Sequence, residues 1–173
     1  MTEEPISEVP LGAPGEAPLP EAEFRDIYAK VPRLTVEVIV QSRRGVVLTQ
    51  RRCGPCAGLW HIPGGTVRFG EPLVAAVKRV AATELGLEVS VGPFLGYIEY
   101  PSHYRNSLDS PVGLAFLCHL EKPVPAADRP SWFTALPDQM HTEQREFSST
   151  VGWCARRPCL CPELSVQRVV VLS

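Results

Sequence analysis

The chain has 173 residues, 45% of them apolar, and a formal net charge of −2. That length fits one domain plus tails, and that apolar share is enough for a core. The near-neutral charge offers no basic footprint for nucleic acid, and the longest apolar runs, such as residues 112–118, are far too short to cross a bilayer.

The opening Met-Thr-Glu-Glu-Pro lacks the basic and apolar regions of a signal peptide, so a soluble cytoplasmic protein is expected. Residues 1–22 hold five prolines and five glutamates with no Lys or Arg. Such a stretch buries too little apolar surface to order itself and reads as an acidic, Pro-rich disordered tail. Six cysteines, Cys53, Cys56, Cys118, Cys154, Cys159 and Cys161, are expected as free thiols. A domain of this size needs no disulfides, and the cytosol would reduce them.

A short helix is expected over 23–30, with Phe24, Ile27 and Tyr28 on one face. Residues 34–40 alternate and are mostly β-branched, which reads as a strand with Leu34, Val36, Val38 and Val40 on one side and Thr35, Glu37 and Ile39 on the other. Residues 41–45 turn, and 46–51 return as a hairpin. A Gly/Pro loop spans 52–58. Residues 60–62 and 66–69 are short extended pieces flanking Gly64-Gly65. A helix over about 72–85 opens behind Pro72 and closes at Gly86, since Pro is tolerated at a helix start and Gly stops a helix with positive φ. Its stripe is Leu73, Ala76, Val77, Val80 and Ala81. One or two strands with a Gly-Pro kink follow over 89–100. Residues 101–110 read as a rim loop, 111–120 as a strand, 132–133 as an edge strand, and 142–153 as a helix. Residues 156–173 form an irregular C-terminal tail without a clear period. The ordered domain is therefore placed at 23–155.

Glu84 stands on the line of Val77 and Val80. A carboxylate on an apolar stripe at a helix C-terminus is costly unless something offsets it. A bound cation is one reason; pairing with Arg79 is the other.

The stretch Gly65, Glu71, Arg79, Glu84, Gly86, Leu87 resembles the Nudix box, G-x5-E-x7-R-E-U-x-E-E-x-G-U with U aliphatic. Residues 60–65, Trp-His-Ile-Pro-Gly-Gly, are similar to that family's approach to the box. The resemblance implies an α/β fold, an α/β/α sandwich around a mixed sheet. Val80 and Thr83 stand where ordinary members carry glutamates. That pattern is similar to the GDP-mannose mannosyl hydrolase branch, which also has an acidic residue on its first strand (here Glu37), an Arg at the end of the next (Arg51), and a His-aromatic pair after the box (His103-Tyr104).

This resemblance implies a hydrolase of nucleoside diphosphate derivatives, with a nucleotide-sugar such as GDP-mannose as substrate. Arg51 and His103 become candidate catalytic residues, Gly64 (through its carbonyl) and Glu84 metal ligands, and Glu37 and Tyr104 substrate contacts. Gly65, Glu71, Arg79 and Gly86 become structural parts of the motif, with Glu71 and Arg79 as an ion pair. One surviving box glutamate can hold one Mg²⁺ per chain, because that ion needs several oxygen ligands and local negative charge. One metal suits water attack at the sugar C1, where it need only stabilise the departing diphosphate. The branch's Gln-His stretch before a Trp is absent before Trp132, so His103 or His141 would have to supply the base. A nucleotide-binding module without turnover, and a pyrophosphatase attacking phosphorus, remain as alternatives. The branch also commonly forms homodimers through its N-terminal region.

Cys53-Gly-Pro-Cys56 spells the thioredoxin tetrapeptide, but no helix is expected after it, which that chemistry requires. A zinc site from Cys53, Cys56, Cys159 and Cys161 would need a poor Cys-x-Cys second pair. His61 reads as packing and His119 as surface.

Overall fold

The strand that alternates most cleanly lies at the centre of the molecule. In the computed structural model, which describes residues 19–52, 56–106, 109–123 and 130–152, β1 (Arg33–Ser42) pairs on one side with β6 (Pro111–Leu120), in parallel from Arg33/Pro111 to Val40/Cys118. β6 pairs antiparallel with the outer strand β5 (Val89–Glu99). The other side of β1 is shared. Its N-terminal half pairs with β4 (Gly64–Thr66), and its C-terminal end turns through a hairpin into β2 (Gly45–Gln50). β2 then carries β3 (Trp60–His61) and β7 (Ser131–Phe133). The result is a seven-stranded mixed sheet.

The two faces of β1 feed two cores. Val36, Val38 and Val40 pack with Ala76, Val77, Val80 and Ala81 of the motif helix α2 (Leu73–Val80) and its continuation. Ile39 packs on the other face with Val46, Leu48, Ile62, Ile98 and Tyr100, against Phe147 of α4 (Thr142–Thr150). Each such buried aliphatic contributes roughly 1.5–3 kcal/mol by leaving water. Helices on both faces of one sheet make the expected sandwich.

α2 does not end at Val80. Residues Ala81–Leu85 continue it as a wider π-helical turn, and Gly86 closes it at φ 65°. The Leu87 amide reaches back to the Ala81 carbonyl at 3.2 Å, the closure that a left-handed glycine permits. One extra residue in the last turn changes which face Glu84 presents.

Several local expectations shift. Residues 101–110 are not all loop: Pro101–Arg105 forms one helical stretch, α3, with Pro at its start. Five residues are too few for periodicity to announce a helix. Of the second extended piece only Thr66 pairs in the sheet, together with Gly64 and Gly65 before it; the chain then turns at Arg68, whose amide donates to Glu71 Oε2 at 3.0 Å. Residues 89–99 form one strand, within the expectation of one or two, with register irregularities around Phe94 next to the Gly92-Pro93 kink. α1 (Glu21–Tyr28) begins two residues earlier than expected, behind Pro20. The N-terminal tail up to residue 18, the Cys53–Pro55 part of the redox-like tetrapeptide, Cys154, and the C-terminal tail with Cys159 and Cys161 lie outside the described residues.

Candidate functional site

The strand pairing of β1 creates the site. Glu37 lies opposite Gly64 on β4 and, on the other side, next to Gly113 on β6. A Cβ at Gly64 would stand 2.4 Å from Glu37 Oε2, and one at Gly113 would stand 2.6 Å from Oε1. Two glycines thus make the slot that holds this carboxyl. It is 4% exposed. Tyr100 Oη donates to its Oε1 at 2.8 Å and Thr35 Oγ1 at 3.2 Å, while Gln144 Nε2 donates to Oε2 at 3.2 Å. Gln144 is held in that orientation because the Ile62 amide donates to its Oε1 at 2.8 Å. Burial pushes the Glu37 carboxyl up to about 8; its hydrogen bonds from Tyr100 and Thr35 pull the other way, the Glu84 charge adds to the rise, and Arg33 opposes it. Burial likewise raises Tyr100 well above its ordinary value, with the Glu37 charge second.

Glu37, Gly64 and Gly65 line a cavity of about 250 Å³ together with Arg51, Glu84, His61, His103, His141 and Cys56. A broader open groove of about 740 Å³ adjoins it and shares Arg51, His61 and Glu84. These three side chains stand where cavity and groove meet. Glu84 is exposed as a residue, yet its carboxyl leans among cavity atoms. Burial raises it, while the Gly64 amide and Arg51 counteract.

A second group of polar side chains enters from α3, α4 and the loop before β6. His103 Nδ1 lies 2.7 Å from Asp109 Oδ1, and Arg33 Nε donates to Asp109 Oδ2 at 2.6 Å. Burial works to raise Asp109, but the His103 bond and the Arg33 charge hold it below the usual carboxylate range. His141 precedes α4, its ring 5.6 Å from that of His103 and 5.4 Å from Tyr100. Its Nδ1 is 3.2 Å from Glu143 Oε2, off the line of a hydrogen bond, and neither atom has another partner. Glu143 Oε1 accepts from the Ser102 amide at 2.8 Å. Burial lowers His141; the Glu143 charge opposes this, and His103 and Arg51 add to it. His61 is pushed down to about 4, by burial and then by Arg51. It shares a 3.1 Å hydrogen bond with Thr49 Oγ1 through Nε2, and its buried Nδ1 is unpartnered.

The structure brings Glu37, Arg51, Gly64, Gly65, Glu84 and His103 to one cavity. It leaves Tyr104 54% exposed and outside the lining. Glu71 and Arg79 lie away from the cavity as a two-pronged ion pair, Arg79 Nε to Oε1 at 2.6 Å and Nη2 to Oε2 at 2.7 Å, with Nη2 also donating to the Thr66 carbonyl at 2.9 Å. They staple the loop to the helix. Val80 is 2% exposed in the core beneath Gly65, and Thr83 is exposed. Sequence reasoning missed Thr35, Tyr100, Asp109, Gly113, Glu143 and Gln144. The one signal that could have found Gln144 is the Glu143-Gln144 pair that follows His141-Thr142 at a helix start. The Gln-His stretch is absent before Trp132, while His141 and Gln144, at the start of α4, line the cavity.

The donor chemistry around Glu84 suits a hard divalent cation. Two carboxylates, Glu37 and Glu84, face one cavity, and the Glu84 charge raises the cost of ionising Glu37, which a cation between them would relieve.

The NUDIX domain family model matches residues 31–150. The low-salt glycan biosynthesis protein Agl8 of Haloferax volcanii is 39% identical over 82 residues, 47% of this chain and 53% of that protein. An ADP-ribose pyrophosphatase of Methanocaldococcus jannaschii is 30% identical over 86 residues, 50% of each chain. The chain thus spans about half the length of the curated relatives it matches. Among solved structures, a MutT NUDIX hydrolase from Burkholderia pseudomallei superposes with a TM-score of 0.57 at 26% identity, covering 69% of this chain and 97% of that one.

Proposed function

The chain belongs to the Nudix family, a family of hydrolases, and from that premise we propose that it hydrolyses a nucleoside diphosphate sugar, such as GDP-mannose, with one Mg²⁺ per chain and water attacking the sugar C1. The observation that carries this reading is that Glu84 is the one motif-helix carboxylate on the cavity, which the imidazoles of His103 and His141 also line.

Glu84 and the Gly64 carbonyl, with waters and substrate phosphates, would hold the ion, and Glu37 adds negative charge beside them. When bound, Mg²⁺ neutralises charge on the departing nucleoside diphosphate. Arg51, at the junction of cavity and groove, adds a guanidinium matched to phosphate geometry. The diphosphate then lies at that junction, the sugar in the cavity and the nucleoside along the groove. One of the two imidazoles takes the proton from water as its oxygen bonds to C1 and the C1–O bond to phosphate breaks. His61 is a poor base, since burial and Arg51 disfavour its protonation.

The sugar part of this reading is supported by the glycan-biosynthesis name of the Haloferax relative. The pyrophosphatase name of the Methanocaldococcus relative favours attack at phosphorus instead. Hydrolysis in ¹⁸O-water over a panel of nucleotide-sugars separates the two. Label on the sugar C1 hydroxyl is the expected result, and label on phosphate overturns it. Binding without product would identify a module without turnover. A cytoplasmic homodimer is part of the same proposal, with the exposed Ile27, Val31 and Leu34 near the N-terminal helix as its contact.

A further inference from the structure

Three side chains from three separate segments converge on one wall of the cavity. Cys56 comes from the turn after β2, His103 from α3, and His141 from the start of α4. One donor atom from each lies within 4.8 Å of the other two. His103 and His141 are buried and Cys56 is half-buried. We infer that these three residues form a binding site for one thiophilic divalent cation of the zinc class, separate from the oxygen ligands around Glu84.

The donor types set the ion. Thiolate and imidazole select zinc-class cations, whereas Mg²⁺ takes oxygen ligands. Three protein ligands with a fourth position open to the cavity is the arrangement of a zinc site that keeps a water. The edges of a zinc tetrahedron measure roughly 3.3–3.7 Å from its bond lengths, so donors within 4.8 Å of one another need to close by about 1 Å to hold the ion. Cys56 stands on a turn tied at both ends: the Arg51 amide donates to the Leu59 carbonyl at 3.0 Å, and the Gly58 amide to the Arg51 carbonyl at 2.8 Å.

The carboxylates behind the rings are the second, independent observation. His103 Nδ1 faces Asp109 and His141 Nδ1 faces Glu143, which leaves Nε2 of each ring as the ligating atom. Metal-bound histidines characteristically back onto a carboxylate in this way, which sets the tautomer and raises ring basicity. The buried Nδ1 of His141 and Oε2 of Glu143, now without hydrogen-bond partners, are left 3.2 Å apart. A cation drawing on the Nε2 lone pair strengthens the Nδ1–H as a donor to that oxygen.

Binding here is independent of which substrate the cavity takes. Its consequence for turnover rests on the proposed imidazole base: a ring nitrogen that holds a cation cannot accept a proton, so zinc would suppress the Mg²⁺-dependent reaction.

The test is Co²⁺ titration of the full chain in the presence of excess Mg²⁺. The expected result is one tight equivalent with a thiolate-to-cobalt charge-transfer band, displaced by Zn²⁺. Cys56→Ser, His103→Ala and His141→Ala should each lose that equivalent, and Glu84→Gln should keep it. A band that survives both histidine substitutions, or one lost in Glu84→Gln, overturns the assignment. Because the histidine variants remove buried side chains, alkylation of the wild type gives a reading without any substitution. Peptide-resolved mass spectrometry should show Cys56 labelling slowed on the order of tenfold by Zn²⁺, since a coordinated thiolate is a protected nucleophile, and unchanged by Mg²⁺. Equal labelling of Cys56 with and without Zn²⁺ would refute the site.

Discussion

Glu37→Gln should remove a pH dependence of stability that the wild type shows between about pH 6.5 and 8. The carboxyl is raised from 4.5 to about 8 by burial. In the unfolded chain it loses its proton near the lower value, and in the folded chain near the upper one. Between them the folded state binds more protons, so stability falls as pH rises. At about 1.4 kcal/mol per unit the full window is worth about 5 kcal/mol. Below pH 6.5 the effect is masked. His61, lowered from 6.5 to about 4, has the opposite sign, because there the unfolded state binds the extra proton and stability rises with pH by about 3 kcal/mol. His141, also lowered, adds to that rise. Above the ordinary histidine value these contributions fade, Glu37 dominates the slope among the described groups, and the variant, which keeps both histidines, isolates its share. The expected loss from pH 6.5 to 8 is therefore about 2 kcal/mol.

The assay is urea unfolding at half-unit pH steps, with a chelator present, since a cation beside Glu84 would pull the Glu37 carboxyl back down. Glu37→Gln keeps the acceptor for Tyr100 and Thr35 but turns an amide donor toward Gln144 Nε2. That costs about 1 kcal/mol at every pH and no slope. The same slope in wild type and variant would show that another group titrates and that the buried-carboxyl account is wrong. Excess Mg²⁺ should flatten the wild-type slope and leave the variant unchanged.

Replacing Glu84 by Gln should lower turnover by about two to three orders of magnitude, the usual loss of one charge-stabilising group, while calorimetry finds one Mg²⁺ per wild-type chain and a near-wild-type melting curve for the variant. Arg79→Ala should cost about 3 kcal/mol, because it strands Glu71, whose side chain is 6% exposed, as an uncompensated buried charge. Urea titration checks this, and Arg79→Ala combined with Glu71→Gln should recover much of the loss. Gly113→Ala should destabilise by about 1–3 kcal/mol through overpacking, since its Cβ would meet Glu37 Oε1 at 2.6 Å and Cγ at 2.8 Å. The cost should shrink in a Glu37→Ala background, and a double-mutant cycle with no coupling would refute the shared slot.

Several features were legible in the residues alone because their physics is local. Pro72 and Gly86 bound the motif helix, and Ala76, Val77, Val80 and Ala81 of its apolar stripe give its buried face, while Leu73 at the start stays exposed. Alternation over 34–40 already sorts Val36, Val38 and Val40 from Thr35 and Glu37, since a strand sends neighbours to opposite faces. The absence of glutamates at 80 and 83 is plain from spacing. Tertiary structure decided the rest. That Glu37 is buried rather than an exposed strand residue depends on Gly64 and Gly113, which reach it only through antiparallel pairing with β4 and parallel pairing with β6. The wider last turn of the helix depends on how Ala81–Leu85 packs, not on any residue type that breaks helices. Cys56, His103 and His141 carry no mutual spacing signal, because a turn, a one-turn helix and a helix start were brought together by docking of α3 and α4 on the sheet. Asp109, Glu143 and Gln144 read as ordinary surface polar residues until their partners are known: a polar side chain can be buried only where other segments satisfy it, and those segments are distant in the chain.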